Sequence, residues 1–258
     1  MKRLRVIPVL SILDSKLVKT TKFKKAKYIG DPLNAIKIFN DKEVDELIIT
    51  DIRASKNGVE PNFNLIAAMS AECFMPLAYG GGVSTFEQAQ KLFKLGIEKL
   101  VLNTAVHSNP NLIRQISEHY GSQSVVVSMD IRTSVFGKRQ LFVKSGTVKM
   151  KHSISSYIEY VEELGAGEIF VNNIDRDGTF LGFDVELVKS LTIRSKLPII
   201  GCGGLDCIDN ILDLFNNAHA NAAAGGAFFI YANNNPNSIL ITYPKQEVLI
   251  DKVFRKLK

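Results

Sequence analysis

Short, almost uninterrupted apolar runs recur along this chain, each followed by a stretch whose apolar residues return every three to four positions. The runs are residues 5–10 (RVIPVL), 46–51 (ELIITD), 76–79 (PLAY), 99–103 (KLVLN), 125–130 (VVVSMD), 168–173 (EIFVNN), 198–202 (PIIGC) and 221–225 (NAAAG). Between them lie stretches such as 84–95 (STFEQAQKLFKL) and 206–217 (DCIDNILDLFNN), spaced like amphipathic helices. A strand buried on both faces reads as a continuous apolar run, as strands of a parallel sheet do. Eight such strands alternating with helices predict an α/β fold, a closed (β/α)8 TIM barrel. The competing solution is an open doubly wound sheet, which would carry a glycine-rich turn after its first strand. Here that place holds lysines.

The pattern also repeats. Pro76 and Pro198 lie 122 positions apart, and the same offset relates Gly81 to Gly203, Gly82 to Gly204, Leu92 to Leu214, Phe93 to Phe215, Ala105 to Ala227 and Glu46 to Glu168. A repeat this long is half a barrel rather than a solenoid unit. It predicts one domain over residues 1–258, with half-barrels of about 1–122 and 123–258. Ser11 and Asp130 lie 119 positions apart, a drift that one loop insertion explains. They would end strands one and five and face each other across the barrel mouth.

Composition narrows the classes. At 258 residues, 46% hydrophobic and 22% charged, the chain suits one barrel of about 250 residues and not a disordered segment. The basic start, MKRLRVIPVL, is too short in its apolar part to span a bilayer, and no small-residue cleavage site follows. A cytoplasmic chain that does not enter a membrane is expected. Three cysteines without a C-x-x-C pair and four histidines without metal-ligand spacing predict neither a disulfide framework nor a metal site. Much of the +6 net charge sits in one predicted loop holding Lys16, Lys19, Lys22, Lys24, Lys25 and Lys27. Only Phe23 and Tyr28 are near, so the loop lacks the interleaved stacking surface of a nucleic-acid site. It would be a solvated surface or a cover over an anionic ligand.

Candidate chemistry collects at the predicted strand ends. Gly80, Gly81 and Gly82 follow strand three, and Gly203 and Gly204 follow strand seven. Asn103-Thr104 and Gly225-Gly226 follow strands four and eight. Glycine lets backbone N–H groups approach a phosphate, and barrels commonly bind phosphate in the loops after strands seven and eight. Two matched clusters therefore suggest a ligand with a phosphate at each end, although turn geometry alone also selects glycine. Asp177, Gly178 and Thr179 close the loop IDRDGT after strand six. At the strand starts stand Arg5, Glu46, Lys99 and Glu168, a set that could neutralise itself. Charges flank strands in most proteins, and that end of a barrel usually serves stability.

These motifs together resemble the HisF family, the cyclase subunit of imidazole glycerol phosphate synthase. The likeness covers nearly the whole chain and rests on GGGV at 80–83, LNTAV at 102–106, GSQSVVVSMD at 121–130, ELGAGEI at 163–169 and IDRDGT at 174–179. The resemblance implies a heterodimer with a glutaminase subunit and no cofactor. It implies an ammonia gate of Arg5, Glu46, Lys99 and Glu168, and a phosphorylated ligand held by Lys19, Asn103, Thr104 and the glycine clusters. It also implies two catalytic carboxylates. Asp130 is one; the other position holds Ser11, whose neutral hydroxyl is a very weak base. The stretches KYIGDPLNAIKIFNDKEVDEL (27–47), CFMPLAYGGG (73–82) and ITYPKQE (241–247) resemble more closely the AglZ-type branch, associated with acetamidino modification of surface sugars. There the ammonia would serve a sugar amidotransferase. A histidine-pathway cyclase with another group in place of the missing acid, or a non-catalytic scaffold that activates a glutaminase, are the alternatives.

Overall fold

In the computed structural model, which describes residues 4–257, eight parallel strands close on themselves. They are β1 (Arg5–Leu13), β2 (Leu47–Asp51), β3 (Leu77–Gly80), β4 (Lys99–Leu102), β5 (Val125–Thr133), β6 (Glu168–Asn173), β7 (Ile199–Cys202) and β8 (Ala222–Gly225). Each pairs with the next, and β1 pairs with β8 in parallel, Val6 opposite Ala223. The barrel is therefore closed and the open sheet is excluded. The extreme residues 1–3 and 258, with the start of the basic segment, lie outside the described part.

Strand alternation sorts the side chains. One set, including Val6, Leu10, Leu47, Ile49 and Tyr79, packs outward against helix residues such as Ile36, Phe39, Ile66 and Leu92. The other faces the barrel axis, where Ile7, Ile48, Val101, Val126, Phe170, Ile200 and Ala222 form a separate apolar cluster. Counting by twos from Ile7 reaches Arg5 at one end of β1 and Ser11 at the other. The same count on β6 links Glu168, Phe170 and Asn172. Helices begin where polar caps allow. Asp31 accepts from Leu33 and Asn34 N–H ahead of Pro32–Asp41, and Thr85 and Gln88 form a capping box on Phe86–Lys94, a signal that fixes a helix start.

The lysine segment is not a loop. Lys16–Thr21 and Lys24–Gly30 are antiparallel strands added to the end of β1. The two-residue links Asp14-Ser15 and Lys22-Phe23 all have positive φ, between 49° and 63°, as type I′ hairpin turns require. The second half carries the same addition: Arg139–Val143 pairs with β5, and Val148–Lys149 pairs with Arg139–Val143. Both extensions stand at the C-terminal end of the strands, which makes that end the deeper and more enclosed one.

Candidate active site

A cavity of about 280 Å³ opens at the C-terminal end of the strands. Of the residues singled out from sequence, Ser11, Lys19, Gly81, Asn103, Thr104, Asp130, Asp177 and Gly226 line it. Gly178, Gly203, Gly204 and Gly225 line a small adjoining cleft that shares Asp177, Cys202 and Gly226 with the cavity. Gly82 and Thr179 stand back from both. The Gly82 N–H donates to Ser55 Oγ at 3.2 Å, and the Thr179 hydroxyl donates to the Arg176 carbonyl at 2.8 Å.

Backbone packing alone requires glycine at two of the matched positions. Gly82 and Gly204 have φ of +75° and +98°, in the left-handed region that disfavours side chains. A Cβ would meet the Val59 carbonyl oxygen at 2.6 Å in the first case and the Gly182 carbonyl oxygen at 2.1 Å in the second. Turn geometry therefore accounts for the glycines whether or not a phosphate binds.

Lys19, in the segment expected to be either solvated or a cover over an anionic ligand, is buried. Its Nζ lies 2.6 Å from Asp177 Oδ1, Thr20 Oγ1 donates to Asp177 Oδ2 at 3.1 Å, and the Lys22 N–H donates to the Asp177 carbonyl at 2.9 Å. These bonds draw the hairpin over the mouth. The remaining lysines of the segment stay exposed, with Lys24 and Lys25 at the cavity rim.

Asp130, like Asp177, is a buried acid of the site. Ser128 Oγ donates to its Oδ1 at 3.0 Å. Burial pushes its carboxyl up to about 7; the Ser128 hydrogen bond opposes the shift and the charge of Asp177 adds to it. Burial likewise pushes the Cys202 thiol up to about 12, so it is a neutral wall at physiological pH. Ser11 lies beside Thr50 in the β1–β2 register. The carboxylates nearest Ser11, Asp14 in the chain and Asp51 in the strand register, are engaged. Asp14 binds Arg53 NH1 at 3.0 and 2.7 Å, outside the cavity. Asp51 lines the cavity, with one oxygen accepting from the Arg53 and Ala54 N–H groups.

Asn103 Nδ2 donates to the Ser128 and Phe142 carbonyls, and Thr104 Oγ1 accepts from the Lys144 N–H at 3.1 Å. The second β-extension is thereby tied to the β4 loop. Sequence reasoning passed over Thr50, Asp51, Ser128 and Asn172, which also line the cavity. A period-two count back from Asp130, or forward from Glu168, would have found Ser128 and Asn172.

At the opposite end the four charges close a ring. Arg5 bonds Glu46 at 2.5 Å and Glu168 at 2.6 Å, and Lys99 bonds Glu46 at 3.0 Å and Glu168 at 3.1 Å. Cation and carboxylate alternate, and the side chains are at most 18% exposed. Burial pulls the Arg5 guanidinium down, but Glu168 and then Glu46 more than offset this and leave it above its usual value. The ring, the apolar cluster and the cavity are stacked along one axis.

The model of the histidine biosynthesis protein family matches residues 5–234. The "Putative imidazole glycerol phosphate synthase subunit hisF2" of Pseudomonas aeruginosa is 49% identical, covering 95% of this chain and 97% of its own length. The "Putative imidazole glycerol phosphate synthase subunit hisF3" of Vibrio vulnificus is 44% identical over 95% of this chain and 94% of its own length. The "Imidazole glycerol phosphate synthase subunit HisF" of Alkaliphilus metalliredigens is 33% identical over 88% and 90%. With a closed barrel, a charged ring at one end and a cavity lined by Ser11 and Asp130 at the other, this chain belongs to the histidine biosynthesis protein family, among its HisF proteins.

Proposed function

We propose that this chain is the ammonia-accepting barrel of a two-subunit, cytoplasmic synthase of the imidazole glycerol phosphate synthase type, with its product chemistry turned away from histidine. The observation that carries the reading is the axial stack of charged ring, apolar interior and a cavity that holds Asp130. A glutaminase subunit would dock over the ring. Neutral ammonia would pass when the ring opens, cross the apolar layer around Phe170, and reach the ligand beside Asp130. The two glycine-lined recesses and Lys19 would hold phosphate groups at either end of that ligand. Asp130, whose carboxyl is pushed up to about 7, would exchange protons as ammonia adds, because a general acid–base works best near the operating pH.

Two facts favour a role outside histidine synthesis. Ser11 puts a hydroxyl where the resemblance expects the second carboxylate, and the other cavity acids, Asp51 and Asp177, are bonded to backbone N–H groups and to Lys19. The relatives whose names carry the word "Putative", at 38–49% identity, are also more similar than those named without it, at 31–35%. The amidination of surface-polysaccharide sugars, with the ammonia passed on to a sugar amidotransferase, fits both. A histidine cyclase would need another acid, and Asp51 is the carboxylate placed nearest to Ser11 in the strand register.

The experiment is co-purification of the chain with a HisH-type glutaminase from the same organism, followed by measurement of glutamine-dependent ammonia delivery. Two variants separate docking from passage. Phe74 is 85% exposed in the connection leading into β3, at the ring end. Phe74→Ala should weaken association by about 30-fold, as losing an aromatic anchor of about 2 kcal/mol does. Lys99→Ala leaves two carboxylates on one cation and should destabilise the chain by roughly 1–3 kcal/mol. The complex should survive this change, but the coupling of glutamine hydrolysis to ammonia use should fall. Wild-type coupling in the Lys99 variant would remove the ring from the pathway.

A further inference from the structure

Ser128 and Asp130 are alternate residues of β5, so both point into the barrel, and both are buried, at 6% and 7% exposure. The Ser128 hydroxyl has one proton to give, and it is given to Asp130 Oδ1 at 3.0 Å. We propose that Ser128 is the positioning residue of this site: its hydroxyl pins one oxygen of Asp130 and leaves the other to the cavity. The proposal rests on the reading of Asp130 as the proton-transfer group and adds to it the means by which one carboxyl can fill two roles.

The need follows from Ser11. With a carboxylate on each half-barrel, one can accept a proton while the other donates. With a serine at one position, and with Asp51 and Asp177 bonded to backbone N–H groups and to Lys19, Asp130 is base in one step and acid in the next. A carboxyl locked in its neutral form could do only the second. Burial and Asp177 both drive Asp130 toward that neutral form, and the hydrogen bond from Ser128 is the influence that opposes them, because a bond donated to the charged form favours it. The other groups facing Asp130 do not take over this task. Lys19 on the hairpin is held by Asp177. Cys202 on β7 stays protonated, its thiol raised to about 12 by burial. The Tyr157 phenol, on the helix Ile154–Glu163, is raised above its usual range by burial and is neutral. Asn103 and Asn172, from the neighbouring strands, carry no charge.

The test is a pH titration of the full chain labelled with carbon-13 in its aspartate carboxyls, with Asp130 assigned by the signal lost in Asp130→Asn. The wild-type midpoint is expected near neutrality. Ser128→Ala should raise it by about one pH unit, the size of losing one hydrogen bond to a charged group in part offset by cavity water. Ser128→Thr, which keeps the hydroxyl, should leave the midpoint where it was. An unmoved or lowered midpoint in Ser128→Ala, with the circular dichroism of the wild type, would overturn the proposal. So would a Thr variant that shifts as far as the Ala variant, since packing rather than the hydroxyl would then be responsible. This readout needs no substrate or partner. A glutaminase complex that fails to deliver ammonia would sink the functional reading and leave the titration standing.

Discussion

Supplied with ammonia, the unmodified chain should turn over the phosphorylated substrate of imidazole glycerol phosphate synthase about 10²- to 10⁴-fold more slowly than a relative with acids on both half-barrels, the usual contribution of one positioned acid or base. That range corresponds to roughly 3–5 kcal/mol of barrier. The deficit should appear in kcat more than in KM, because the glycine-lined recesses and Lys19 remain in place while the proton-transfer pair is broken. Ser11→Asp returns a carboxylate to an inward position of β1, facing the same cavity as Asp130. It should recover at least tenfold of the loss. A steady-state assay of both proteins decides this. Wild-type turnover equal to that of a two-acid relative would show that another group, Asp51 first among them, already supplies the second acid.

Asp130→Asn should make the fold less sensitive to rising pH. In the unfolded chain this carboxyl titrates near its ordinary value of 3.8, whereas in the folded chain burial holds its proton up to about 7. The folded state therefore binds a proton that the unfolded state has released throughout that window. Stability from this group is complete below pH 3.8 and is lost as the pH rises through about 7. The slope is about 1.4 kcal/mol per pH unit, on the order of 4 kcal/mol in all. Asn at this position carries no such dependence. Urea unfolding at pH 4, 6 and 8 should show the variant gaining on the wild type at each step. Parallel curves for the two proteins would mean that Asp130 ionises in the folded chain as freely as in water.

The eight barrel strands were legible because parallel strands buried on both faces leave continuous apolar runs, and the observed strands fall within a few residues of those runs. The hairpins were not. Their two-residue turns are Asp14-Ser15 and Lys22-Phe23 instead of the Asn-Gly or Asp-Gly pairs that mark such turns, and Lys24–Gly30 is a mostly exposed strand rich in lysine. Its composition reads as loop, while its pairing with Lys16–Thr21 comes from tertiary context. In the site, the half-barrel repeat placed Ser11 and Asp130 at one mouth, and the charges at the run starts marked the ring. That Arg5, Glu46, Lys99 and Glu168 bond one another in a closed circuit could not be read from spacing, because it depends on barrel closure. Ser128 and Asn172 escaped notice as small polar residues inside apolar runs, although they share the inward phase of Asp130 and Phe170.

A HisF-family barrel that keeps the ammonia route but has left the histidine reaction should fail to complement a missing cyclase. The chain and its own glutaminase are expressed in a histidine auxotroph lacking the cyclase subunit, on medium without histidine. The unmodified pair should give no growth, alongside normal growth from a two-acid HisF and its partner. Full growth from the unmodified pair would contradict that expectation and return this protein to histidine synthesis.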